Sequence, residues 1–133
     1  MSRSWKLRKD ERGQALTEFA IIAPVMLLLV FGIVDLGRYM YGYLNLQLAA
    51  QETVRKGSFG YTDAELAAFA RSYMKVKDPA LLAVTVTPDD RTRDSGDYVT
   101  VTLQEPFTFV TPIVGELLPV RPNIRAYSTI RVE

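Results

Sequence analysis

Hydrophobic positions are unevenly spread along the chain, and their spacing changes character twice. Residues 19–34 read FAIIAPVMLLLVFGIV, with no charged side chain. A run that is apolar on every face predicts a helix surrounded by hydrocarbon, not one face of a soluble fold. With Leu36 and Gly37 added across Asp35, the candidate span covers about residues 18–37, close to the ~20 residues that cross a bilayer. The charge-free part alone is about 24 Å long at ~1.5 Å per residue, slightly short of the roughly 30 Å hydrocarbon core. A short span is expected to tilt little, thin the bilayer or pack against partners. Beyond it the pattern turns amphipathic. Leu36, Met40, Tyr43, Ala50 and Val54 fall on one stripe, and Arg38, Asn45, Glu52 and Lys56 on another. Arg55 and Lys56 suit the last turn of a helix, and Gly57 and Gly60 suit its end. One helix is therefore predicted from near Gly13 to near Lys56, about 60 Å long at ~1.5 Å per residue. Pro24 should kink its apolar half, because proline removes a donor and frees a carbonyl.

The remaining residues show shorter periods. Thr62-Asp63-Ala64-Glu65 has the form of a capping box. Leu66, Phe69, Ala70 and Tyr73 then space as one helical face, predicting a second helix over 63–76 closed by Asp78 and Pro79. Three segments alternate as strands: 82–87, 98–103 and 123–132. In the third, Ile124, Ala126, Ser128, Ile130 and Val132 share a face. The intervening PFTFVTPIVGELLPVRP is apolar and broken by prolines. It is expected to pack on the long helix or to lie near the membrane surface. Three strands cannot cover their own apolar face, so helices must. The predicted fold class is α+β: a long N-terminal transmembrane helix continuing as a spine, a second short helix, and an antiparallel sheet of about three strands. The predicted parts are a basic cytoplasmic leader (1–13), the long helix (14–58) and an extracytoplasmic α+β domain (59–133).

Composition removes several functions. The chain has 133 residues, a formal net charge of +1, no cysteine and no histidine. Disulfides, thiolate nucleophiles, His-based triads and His or Cys zinc sites are excluded. No glycine-rich phosphate loop or nucleophile elbow is present, so an enzyme is not expected, and neither is a cofactor. Asp89, Asp90, Asp94 and Asp97 could suggest a cation, but Arg91 and Arg93 interrupt them and no calcium-loop spacing appears. The loop is read as solvated, without metal. The near-neutral charge gives no case for nucleic acid. The basic residues Arg3, Lys6, Arg8, Lys9 and Arg12 precede the span, which places the N-terminus in the cytoplasm. Arg38, Arg55 and Lys56 on the far side weaken that bias without reversing it. No small-residue cleavage site follows the apolar run, so the helix is expected to be retained in a single-pass protein of the cell membrane.

Two acidic residues stand at the edges of the apolar run. Glu18 reads in isolation as an interfacial residue near a helix N-terminus, where negative charge is favoured. Asp35 and Arg38 read first as an exposed i,i+3 pair at the outer interface, and alternatively as a contact with a partner helix. The wider context bears on Glu18. Residues 12–19 read R-G-Q-A-L-T-E-F, with Glu18 five residues after Gly13. The G-x4-E-F start, the A-P-V at Ala23 to Val25 and the G-I-V-D-L-G-R at Gly32 to Arg38 together resemble the TadE-like family, pseudopilins of tight-adherence (Tad, Flp) pilus systems. The resemblance is strong over about the first 60 residues. It implies that a prepilin peptidase cuts on the cytoplasmic side between Gly13 and Gln14. It also implies that Glu18 and Phe19 serve processing and assembly as the fifth and sixth residues of the mature chain. Glycine before the scissile bond lets extended backbone enter a protease cleft. Cleavage would create an α-amino group at Gln14, largely protonated at neutral pH, that a Glu18 carboxylate in the same or a neighbouring subunit could pair with. The partners implied are the peptidase, other pilin-like subunits, inner-membrane pilus assembly proteins and the lipid bilayer. The competing reading is an uncleaved single-pass membrane protein whose outer domain binds a ligand or scaffolds an envelope complex. Replacing Gly13 by a bulky residue should block leader removal while leaving membrane insertion intact, as judged by gel mobility and membrane fractionation. Normal processing of such a variant would count against the assigned bond.

Overall fold

The computed structural model describes residues 11–76, 78–119 and 121–133. Arg3, Lys6, Arg8 and Lys9 of the predicted leader lie outside the described residues. Helix α1 runs over Glu11–Gly57, a single element of 47 residues that continues across Pro24. At ~1.5 Å per residue it is about 70 Å long. It contains an apolar stretch long enough to cross a membrane, and only 6% of that stretch is buried within the protein. The C-terminal end of the same helix is one wall of a small core.

Helix α2 covers Asp63–Met74 and starts with the predicted capping box. Thr62 Oγ1 accepts from the Glu65 N–H at 3.3 Å, and the Thr62 N–H donates to Glu65 Oε2 at 2.9 Å. Lys75, in the left-handed region at φ 51, ends the helix two residues before the expected position. Strands β1 (Ala83–Thr87), β2 (Tyr98–Pro106) and β3 (Asn123–Arg131) form one antiparallel sheet in the order β1-β2-β3. A single helical turn, α3 (Val114–Leu117), interrupts the connection between β2 and β3. β2 runs three residues past its predicted end because β3 keeps pairing with it as far as Pro106 and Asn123. The α+β architecture anticipated from the sequence is the one observed.

Register explains which face is dry. Val101 pairs with Val86 on one side and Ser128 on the other, and Leu103 with Val84 and Ala126. These side chains, with Val99 and Ile124, point at the helices. The opposite face carries threonines and exposed tyrosines, with Thr100 and Thr129 hydroxyls 2.7 Å apart across the strands. Leu46, Ala49, Ala50 and Val54 of α1 and Leu66 and Ala70 of α2 close the core. Small residues let α1 approach the sheet. A Cβ on Gly42 would lie 2.7 Å from Ile124 Cδ1, and one on Gly57 would lie 3.3 Å from Leu66 Cδ1.

The expected apolar stripe needs correction. Ala50 and Val54 are buried, but Leu36, Met40 and Tyr43 are exposed. The inward face runs through Asp35, Gly42, Leu46, Ala49, Ala50, Thr53 and Gly57 instead. Spacing alone cannot separate these stripes, because both recur at helical intervals and the buried one uses small and polar side chains. On α2, Phe69 is half-buried beneath the Lys56 ammonium, 4.6 Å from its ring centre, whereas Tyr73 faces outward. Truncating Leu46 to alanine should cost about 2–5 kcal/mol of stability, and enlarging Ala50 to leucine about 1–3 kcal/mol. Denaturant unfolding in detergent measures both.

Candidate functional site

Two clusters at the ends of the apolar run bring together the residues singled out in the sequence. At the first, the Gly13–Gln14 peptide bond lies within the opening turns of α1. Thr17 Oγ1 donates to the Gly13 carbonyl at 2.9 Å, and Gln14 Nε2 donates to Glu18 Oε1 at 3.1 Å. Glu18 and Phe19 are exposed. The bond is helical here, not extended, so a protease would have to unwind the start of α1. Helix ends carry few intrahelical bonds to lose, and glycine lowers helix stability by about 0.5–1 kcal/mol relative to alanine.

The second cluster surrounds Asp35, the first charge after the apolar run. The residue is 4% exposed. The carboxylate accepts hydrogen bonds from the Val110 and Thr111 N–H groups, both at 2.8 Å, and from the Thr111 hydroxyl at 2.5 Å. Arg38 Nη1 donates to Asp35 Oδ1 at 3.3 Å and to the Thr108 carbonyl at 2.9 Å. The guanidinium also lies 5.4 Å from the ring centre of Phe107. Phe107 in turn meets Tyr39 and Phe109 edge-on at 5.5 and 5.2 Å. The favoured reading of an exposed surface pair is therefore wrong for Asp35. A distant loop covers it and holds it with backbone donors. The sequence signal was the cost of a bare carboxylate beside an apolar span. Its partner, 75 residues away, carried no complementary charge to be found by.

The aspartate-rich loop is largely exposed, as expected, but the side chain of Arg93 within it is buried. Arg93, with its side chain 4% exposed, donates to Asp63 Oδ1 at 2.6 Å and to the Pro88 carbonyl at 2.9 Å. Asp63 and Asp90 exchange backbone-to-carboxylate bonds at 3.1 and 3.3 Å. Carboxylate oxygens of Asp63, Asp89 and Asp90 approach within 4.8 Å of one another, with the Arg93 guanidinium on the Asp63 carboxylate. The loop thus clamps the start of α2. The Asp63 N–H, with help from Asp89 and Arg91, holds the Asp90 carboxyl below the usual carboxylate range.

The geometry of α1 frames the comparison with known proteins. The family model for TadE-like protein matches residues 13–55. The TadE-like match thus begins at Gly13, takes in Glu18, Phe19, Pro24, Asp35 and Arg38, and stops just before the end of α1. The sheet and α2 lie outside it. No curated protein and no solved structure matches the chain.

Two outcomes follow from these clusters. Asp35→Ala should leave the Val110 and Thr111 donors without their acceptor and speed their amide exchange by about tenfold or more, with little change in the β2–β3 ladder. Because the Asp90 carboxyl is held low, the stability it contributes is present above the ordinary carboxylate range and is lost as pH falls through its folded value. Acidification below about pH 4 should release the 89–97 loop, and Asp90→Asn should flatten that part of the stability profile.

Proposed function

We propose that this chain is a minor prepilin or pseudopilin that takes part in assembling a Tad (tight-adherence, Flp-type) pilus or a related secretion system. The TadE-like match over residues 13–55 carries the reading, because it spans the whole apolar helix and begins at the glycine of the candidate processing bond. In this reading the basic leader stays in the cytoplasm, the helix crosses the membrane, and the α+β domain lies outside. A prepilin peptidase removes the leader after Gly13. Glu18, whose carboxylate already lies against the Gln14 side chain, then faces the new amino group in its own or a neighbouring chain.

Surface chemistry supports lateral association. Leu36, Met40, Leu44 and Leu48 are each more than half exposed and recur every fourth residue on α1, beyond the charge-free run. Such a stripe suits another helix of the same kind. Other pilin-like subunits and membrane assembly proteins are the partners of this reading, and the protein acts as a structural component without chemistry of its own.

Intact mass or N-terminal sequencing of the membrane-extracted protein, produced with and without its cognate peptidase, tests the proposal. The expected mature chain begins at Gln14. Retention of the leader in the presence of active peptidase would remove the prepilin reading and leave an uncleaved single-pass protein.

A further inference from the structure

The loop that covers Asp35 has an outer surface that is exposed among the described residues. We infer that residues 107–118 form a second membrane contact, a foot that rests in the interfacial zone of the phospholipid bilayer beside the span. The inference rests on the membrane-spanning reading of α1 and goes beyond it.

Height is the first argument. Asp35 directly follows the charge-free residues 19–34, and its carboxylate binds the N–H groups of Val110 and Thr111. The loop is therefore fixed at the level where the apolar run ends, whatever the tilt of the helix. Its chemistry is the second. Residues 107–118 contain one charged side chain, Glu116. Val110, Ile113, Leu117 and Leu118 are 50%, 58%, 72% and 46% exposed, close in sequence and next to the level of the exposed Leu36. Contiguous apolar surface of this kind marks a protein or membrane contact. Here it is tied through Val110 and Thr111 to Asp35, at the end of the run that the proposed reading places in lipid, which selects the bilayer.

Dimensions agree. The charge-free helix falls about 6 Å short of a ~30 Å hydrocarbon core, or about four residues at ~1.5 Å each. With Asp35 covered, Leu36 and the foot add apolar surface just beyond the charge-free run, while the exposed Glu116 and the part-exposed Arg38 suit the headgroup zone. Tyr39, Tyr41 and Tyr43 then fall on the next turns, where tyrosines suit the headgroup region.

The chain has no cysteine, so single-cysteine probes need no background removal. Ile113→Cys and Leu117→Cys, labelled with an environment-sensitive fluorophore, are reconstituted in phosphatidylcholine–phosphatidylglycerol vesicles with or without brominated acyl chains. Leu27→Cys reports the span, and Thr92→Cys the loop on α2. Emission at 113 and 117 should fall by about half or more with brominated lipid and resist aqueous iodide, since interfacial apolar groups sit about 5–10 Å into the acyl boundary. Emission at 92 should respond to iodide alone. If 113 and 117 behave like 92 while 27 is quenched by lipid, the foot is wrong and the span stands. If 27 also escapes the lipid quencher, the span fails and the foot fails with it. Protection at 113 and 117 that disappears when the protein is diluted in lipid assigns the surface to a second copy and overturns the lipid contact.

Discussion

A carboxylate at the end of an apolar helix must be hydrated, paired or covered, because unsatisfied charge beside hydrocarbon is costly. Asp35 is covered. Two backbone N–H groups, a threonine hydroxyl and Arg38 meet its oxygens, and no water needs to reach them. The rest of the architecture is arranged around that junction. It brings the β2–β3 connection down onto α1, so the sheet is tied to the helix at both ends: by Asp35 at one and by the Leu46–Val54 core at the other. It also lets the apolar surface continue past a charge that would otherwise end it.

The second constraint is how closely α1 approaches the sheet. Gly42, Ala49, Ala50 and Gly57 line the contact beside Leu46 and Val54, while Met40, Tyr43, Leu44 and Leu48 turn outward. Small residues bury little apolar area each. They bring the helix close enough for Ile124, Val99 and Leu66 to pack on its backbone. The same choice leaves Leu36, Met40, Leu44 and Leu48 free for something else. The division of labour along one helix fits a subunit that must hold its own domain and also pack against neighbours.

Much of this was legible in the sequence, for identifiable reasons. The long apolar helix, the capping box at Thr62 and the alternating strands have strong local signatures, and the structure reproduces them. What could not be read was long-range. The burial of Asp35 depends on uncharged donors 75 residues away, and the Arg93 clamp depends on a loop folding back onto α2. The buried stripe of α1 was missed because Gly42 and Asp35 carry no hydrophobic signal, while Met40 and Tyr43, which do, face outward. The candidate processing residues Gly13, Gln14, Glu18 and Phe19 were singled out by their order along the chain, a kind of signal independent of packing.

In the proposed membrane-spanning reading, a single helix shared by bilayer and core has a mechanical consequence. No flexible linker separates Val34 from Leu46. A domain on a linker swivels freely above its anchor. Here the anchor and the domain turn as one lever. A few degrees of change in helix inclination, whether from lipid thickness or from a neighbour pushing on Leu44, would swing the far loops through an arc proportional to their distance from the bilayer. Force applied along the helix would reach the sheet through side chains packed on the same rod, so extracting the helix from lipid would load the core directly.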